Sequence, residues 1–185
     1  MKNKFLYIVL AVVLFAGFYV WGVYNKLVTG DENVGNLWAQ VESQYQRRFD
    51  LIPNLTASVK GIFNQEKDVF GKLADARSRY AGAASVSDKV AAANQVESSL
   101  ARLLVILENY PQLRSSEAVQ SLMVQLEGTE NRISVERKRF NDGVRDYNLL
   151  VKRFPARFFA SLFGFGEKEY FEAASGAEAA PKVEL

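Results

Sequence analysis

Residues 38–80 read WAQVESQYQRRFDLIPNLTASVKGIFNQEKDVFGKLADARSRY. Stepping by seven from Trp38 gives Tyr45, Ile52, Val59, Glu66, Leu73 and Tyr80. The companion series, three residues on, gives Val41, Arg48, Leu55, Ile62, Val69 and Ala76. Eleven of these thirteen positions are apolar, and the exceptions are Arg48 and Glu66. Two apolar positions per heptad, three residues apart, lie on one stripe of a helix, the pattern of a coiled-coil seam. The spacing predicts one long helix with a single buried face. Pro53 lacks an N–H and crowds the preceding turn, so it is expected to kink that helix or divide it.

The same periodicity continues downstream. A second helix is predicted from about Asp88 to Glu108, with Val90, Ala93, Val96, Leu100, Leu103, Leu104 and Leu107 as its stripe. Ser87 is the expected cap, with Asp88 in the first turn. Asn109-Tyr110-Pro111 should stop it, because the residue before proline is pushed out of the helical region. A third helix starts near Ser115 or Ser116. Its seven-residue series, Val119, Leu126, Ile133, Phe140, Tyr147 and Phe154, is apolar throughout. Pro155 ends or bends it, and a short amphipathic segment runs from Ala156 to about Phe163. With only four prolines and no long alternating pattern, the chain is read as all-α. No one of these helices can cover its own stripe. The expected fold is therefore an antiparallel bundle of long amphipathic helices, four-helix-bundle-like, forming a rod.

Upstream lies a different kind of segment. Phe5 to Tyr24 reads FLYIVLAVVLFAGFYVWGVY: eighteen of twenty residues are apolar, and the others are Gly17 and Gly22. A helix of that length spans about 30 Å, one hydrocarbon core. It has no polar face, as a core helix should. It is too long and too aromatic at its end for a cleaved signal peptide. Phe18, Tyr19, Trp21 and Tyr24 crowd one end, where an aromatic belt meets the membrane interface. The segment is read as a single uncleaved transmembrane helix bounded by Phe5 and Tyr24. Lys2 and Lys4 precede it; Lys26, Asp31 and Glu32 follow. The positive-inside rule puts the N-terminus in the cytoplasm and the body outside. The organisation is thus an anchor and juxtamembrane segment (1–28), a helical domain (29–173) and a flexible tail (174–185).

Charge and composition exclude several functions. The chain of 185 residues has neither cysteine nor histidine, so disulfides, thiolate nucleophiles, Cys/His zinc sites and Ser-His pairs are absent. Beyond residue 24 the 21 basic and 21 acidic residues balance, which argues against nucleic-acid binding. A carboxylate-bridged metal site in a bundle would use Glu-x-x-His pairs, and no histidine exists. No cofactor and no small-molecule substrate is expected. A carboxylate pair such as Glu130 and Glu136 could do acid–base work only with a nucleophile or cofactor that nothing supplies.

The informative polar residues are those within the stripes. Arg48 and Glu66 lie 18 residues apart, roughly 27 Å along a helix, too far to neutralise each other. If buried, each needs another partner. Glu130, Glu136 and Arg137, on or beside the inward face of the third helix, are the candidates for buried ion pairs or for a polar cleft that contacts a partner. Residues 132–157 carry eight basic and three acidic side chains. Near their end Phe154, Phe158, Phe159, Leu162, Phe163 and Phe165 stand beside Arg153 and Arg157. That composition is either the closed end of the bundle or an interfacial, lipid-contacting segment.

Several stretches are those of a known family. YNKLV (24–28) follows the apolar span, and RRFDLIPNL (47–55), VKGIFNQE (59–66) and NYPQLRSS (109–116) come next. GTENRISVERKRFNDGVRDYNLLVKRFP (128–155) and LFGF…YFEA (162–173) complete the set. In this order and spacing the chain resembles LemA family proteins over nearly its whole length. It departs at Gln65, where histidine is frequent, and at Leu185, where an aromatic is common. The resemblance implies a membrane-anchored domain with a four-helix-bundle core and no known catalytic activity. It implies an accessory or scaffold protein of the bacterial envelope, touching protein partners or copies of itself. Similar proteins are often encoded beside membrane metalloproteases or TPM-domain proteins, and some belong to magnetosome systems. The alternative roles are therefore a lipid-contacting or membrane-remodelling accessory protein, or an accessory subunit of a membrane protease.

Overall fold

The computed structural model describes residues 2–59 and 66–171, apart from the side chains of Lys2 and Asn3. Among the described residues the chain is all-helical, with six helices and no strand: α1 (Lys2–Ser58), α2 (Lys67–Gly82), α3 (Val86–Glu108), α4 (Pro111–Arg114), α5 (Glu117–Lys152) and α6 (Ala156–Phe163). The stripe position Ile62, the departure at Gln65 and the tail 174–185 lie outside the described residues.

Pro53 does not divide the first helix. α1 runs through it for five further residues, to Ser58. The ring is on the exposed side, while Ile52, Leu55 and Val59 are buried around it. Burying three aliphatic side chains contributes about 1.5–3 kcal/mol each, which offsets the ~3 kcal/mol cost of an interior proline. α1 ends at Ser58 and α2 begins at Lys67.

α3 starts two residues before the expected Asp88. Its cap is Ser85 rather than Ser87: the Asp88 N–H donates to Ser85 Oγ at 3.0 Å, and Ser85 Oγ donates to the Asp88 carboxylate at 2.7 Å. The spacing S-x-x-D lets each residue satisfy the other, as Ser87 cannot with its neighbour. The Ser116 hydroxyl accepts from the Val119 N–H at 3.3 Å ahead of α5. The α5 stripe is buried from Val119 to Tyr147, but Phe154 is 90% exposed. α5 stops at Lys152, so the last step of the series falls off the helix. The Phe154–Pro155 bond between α5 and α6 is cis.

The residues form two compact units. Of the described residues, one comprises 2–39 and 138–170; the other comprises 40–59 and 66–137 together with Phe171. In the first, Leu27, Val34, Phe140, Val144 and Tyr147 are buried. The Trp38 and Phe140 rings meet edge to face at 5.3 Å. Asn148 ties the segment after α6 to α5: it donates to the Lys168 carbonyl at 2.9 Å and accepts from the Lys168 N–H at 2.8 Å. In the second, Tyr45 and Phe49 of α1 pack on Tyr80 of α2 at 5.5 and 4.7 Å, and Leu73, Leu100, Leu103, Leu107, Leu126 and Ile133 fill the core. Lys89 of α3 pairs with Glu42 of α1.

Candidate functional site

The second unit gathers its buried charges into one cluster across three helices. On α1, Tyr45 and Arg48 are three residues apart and so share a face. On α5, Glu130 and Arg137 are seven apart and share another. Arg48 pairs with Glu130. Arg137 donates through Nε to the Tyr45 hydroxyl at 2.9 Å and through Nη2 to Glu97 of α3 at 2.8 Å. Glu97, Arg48 and Glu130 line the same cleft, so the Arg137–Glu97 pair lies beside the Arg48–Glu130 pair, and the charge of Arg48 acts on Glu97. Phe171 lies beneath the Arg137 guanidinium at 4.4 Å, with its ring nearly parallel to that of Tyr45.

Two guanidiniums and two carboxylates cancel, which is what a buried cluster requires. Burial alone would raise Glu97, but the hydrogen bond and charge of Arg137, with the charge of Arg48, hold its carboxyl below the ordinary range. Burial pushes the Tyr45 phenol up to about 12, against the opposing pull of Arg137. Burial raises the Tyr80 phenol too, aided by the charge of Glu42, and its hydroxyl has no hydrogen-bond partner. Arg48 Nε and Nη1 are likewise enclosed without a partner, a cost of about 1–3 kcal/mol for each group that folding must absorb.

Beside this network lies a cleft of about 800 Å³ between α3 and α5. Leu100, Ala101 and Leu104 line one side and Met123, Val124 and Leu126 the other, with Arg48, Glu97 and Glu130 among its polar lining. Val124 in its wall and Val105, next to Leu104, are more than 60% exposed. Its size and mostly apolar walls are those of a site that accepts side chains or a small apolar molecule. Among the described residues no group of three or more acidic side chains is placed to hold a metal ion.

Of the five polar residues singled out in the sequence, the structure brings Arg48 to Glu130 and places Arg137 in the same network. Glu136 is half-buried and has an interaction of its own. Glu66 stands apart. It flanks the start of α2, half-exposed, and makes no side-chain capping bond. Its place in the heptad series is an accident of counting across a break between two helices. Glu97 is the residue that the stripe analysis passes over. It sits four residues after Ala93 and three before Leu100, on the flank of the α3 stripe, and that spacing is the signal for it. Tyr45 counts as apolar in the series, yet its hydroxyl is half of its role.

The Phe5–Tyr24 segment of α1 is the second feature. Its large side chains from Phe5 to Phe18 are 42–76% exposed on every side of the helix. By length and composition this stretch can cross a membrane.

Among proteins of known name, the chain is similar to Magnetosome protein MamQ of Magnetospirillum gryphiswaldense, 25% identical over 174 residues. It is equally similar to Magnetosome proteins MamQ 1 and MamQ 2 of Paramagnetospirillum magneticum, 25% identical over 175 residues. Each match covers 80% of this chain and 64% of the relative, so the chain spans just under two thirds of the length of the proteins it matches. The sequence profile of the LemA family matches residues 37–185. With all but the first 36 residues inside that match, the chain belongs to the LemA family.

Proposed function

We propose that this protein is a membrane-anchored, non-enzymatic scaffold of the bacterial envelope. Phe5–Tyr24 is its single transmembrane span, and the amphipathic helices after it form an antiparallel bundle that binds protein partners or a second copy. The observation that carries the reading is the exposure of bulky apolar side chains all round α1 over fourteen residues, Phe5 to Phe18. In water, leaving a Leu, Ile or Phe exposed forgoes about 1.5–3 kcal/mol per residue, a deficit that only a lipid surround removes. Kinship with magnetosome proteins supports an accessory role, and so does a polar network whose carboxylates are neutralised by arginines rather than poised beside a nucleophile.

The α3/α5 cleft is the proposed docking surface of the bundle, since apolar walls flanked by exposed valines suit the apolar face of a partner helix. A photo-crosslinking residue at Val124, in the full chain in intact membranes, should give a discrete adduct that mass spectrometry identifies as a second copy or one envelope protein. The same residue at Asn54, exposed on α1, should give none. A Val124 position that yields no adduct in membranes, or the same smear as Asn54, defeats the scaffold reading.

A further inference from the structure

α6 is built inside out for a helix in water. It buries its small residues, Ala156 at 8% exposure and Ala160 at 0%, and turns its large ones outward. Phe158 and Leu162 are each 67% exposed, Phe163 is 39% exposed, and Phe154 just before the helix is 90% exposed. A soluble surface helix does the reverse, whereas small residues toward protein and bulky ones away is the arrangement of a helix facing lipid. Exposed apolar side chains clustered in this way mark an interaction surface rather than scatter.

Ring contacts within the first unit fix what lies beside this helix. Phe159 meets Tyr19 at 6.3 Å, and Phe163 meets Tyr24 edge to face at 5.2 Å. Gly164, at φ 79°, turns the chain so that Phe165 returns to Tyr24 at 6.0 Å. Tyr19 and Tyr24 belong to the aromatic end of the apolar segment, so α6 runs beside its last ~7.5 Å. That is the depth of the headgroup and upper acyl region, where amphipathic helices settle. The cations agree. Lys152 pairs with Glu167 and Lys168 with Asp31, but among the described residues no carboxylate pairs with Arg153, Arg157 or Lys26.

From this we infer that α6 is an interfacial foot. It lies in the outer leaflet surface beside the span, with Phe154, Phe158 and Leu162 in the acyl boundary and Arg153 and Arg157 on anionic lipid head groups. The inference rests on the reading of Phe5–Tyr24 as a span, and the test separates the two. Trp21 and Trp38 are the only tryptophans. Full-length protein would be reconstituted in bilayers with lipids brominated near the carbonyl, in two single-tryptophan forms. One keeps Trp21 (Trp38→Phe); the other carries Phe158→Trp with both native tryptophans changed to Phe.

Both forms should be quenched by lipid bromine and shielded from aqueous acrylamide. Brominated phosphatidylglycerol should quench the tryptophan at 158 more strongly than brominated phosphatidylcholine. Arg153→Gln with Arg157→Gln should shrink that preference about fivefold per cation removed. Trp21 quenched by lipid while the tryptophan at 158 answers only to acrylamide overturns the foot and leaves the anchor standing. Loss of lipid quenching in both forms overturns the anchor and the foot together. Equal quenching by the two lipids overturns the anionic preference.

Discussion

Arg48 has a side chain only 7% exposed, and its ion-pair partner, Glu130, is 36% exposed. The asymmetry decides what substitution does. Glu130→Ala leaves a buried guanidinium without its direct ion-pair partner, with only the neighbouring Glu97 charge to offset it, and should cost about 2–3 kcal/mol, somewhat below the 3–5 typical of fully buried pairs. Changing both, Arg48→Met with Glu130→Leu, removes the desolvation cost with the attraction and should recover most of that loss in thermal melts of the full-length protein in detergent. A double variant no better than Glu130→Ala would mean that the pair stabilises in its own right. Glu97 makes a pH prediction. Its carboxyl is held below the ordinary 4.5 when folded, so the stability it lends is present above that pH and is lost as pH falls through its lower folded value. Melting temperature should drop on acidification below about pH 4.5, and Glu97→Gln should flatten the drop. Tyr45 has the opposite sign. Its proton is held more tightly folded, to about 12 against an ordinary 10.0, so its contribution is intact below pH 10 and drains from pH 10 to 12. Tyr45→Phe should remove that alkaline slope while losing the Arg137 hydrogen bond. Arg48 was legible as the polar intruder in an apolar series. Its partner was not, because a heptad count orders residues along one helix and says nothing of which turn of another lies opposite.

At the scale of elements, the two α5 glycines separate propensity from packing. A Cβ at Gly128 would meet nothing within 4 Å, whereas one at Gly143 would collide with Leu37 of α1. Alanine relieves the entropic penalty of a mid-helix glycine at either position. Gly128→Ala should therefore gain about 0.5–1 kcal/mol in thermal melts. Gly143→Ala should fail to gain, because Leu37 must move aside to admit the methyl. Equal gains at both positions would refute the close approach. Gly143 is the place where α1 and α5 can come near. Helix existence and the apolar stripes could be read from periodicity, since burying a stripe drives both. Helix ends were harder. The reciprocal bonds of Ser85 and Asp88 outcompete Ser87, and buried Ile52, Leu55 and Val59 carry α1 past Pro53. The orientation of α6 was beyond reach, because an eight-residue segment with apolar side chains on several faces does not declare which of them meets protein.

Across the whole molecule, orientation follows from how few charges flank the apolar segment. Lys2 and Lys4 precede it, and Lys26 with Asp31 and Glu32 follows, a basic excess on the N-terminal side of one residue in lysines alone. Each lysine that would have to cross resists translocation, whereas acidic residues contribute little, so the side with more lysine stays in the cytoplasm. α1 continues without a break from the segment to Ser58, so with the proposed span in the membrane the residues after Tyr24 would emerge on the other side. The absence of cysteine makes this directly measurable, because any thiol introduced is the only one. Asn36→Cys and Asn54→Cys, both exposed on α1, should react with a membrane-impermeant maleimide in intact spheroplasts. The Lys2→Glu/Lys4→Glu form should lower that outside labelling, since the lysine balance then favours Lys26. Labelling of both positions only after lysis would reverse the topology. Labelling that ignores the lysine changes would show that charge does not set it, leaving the folded mass after the span to do so.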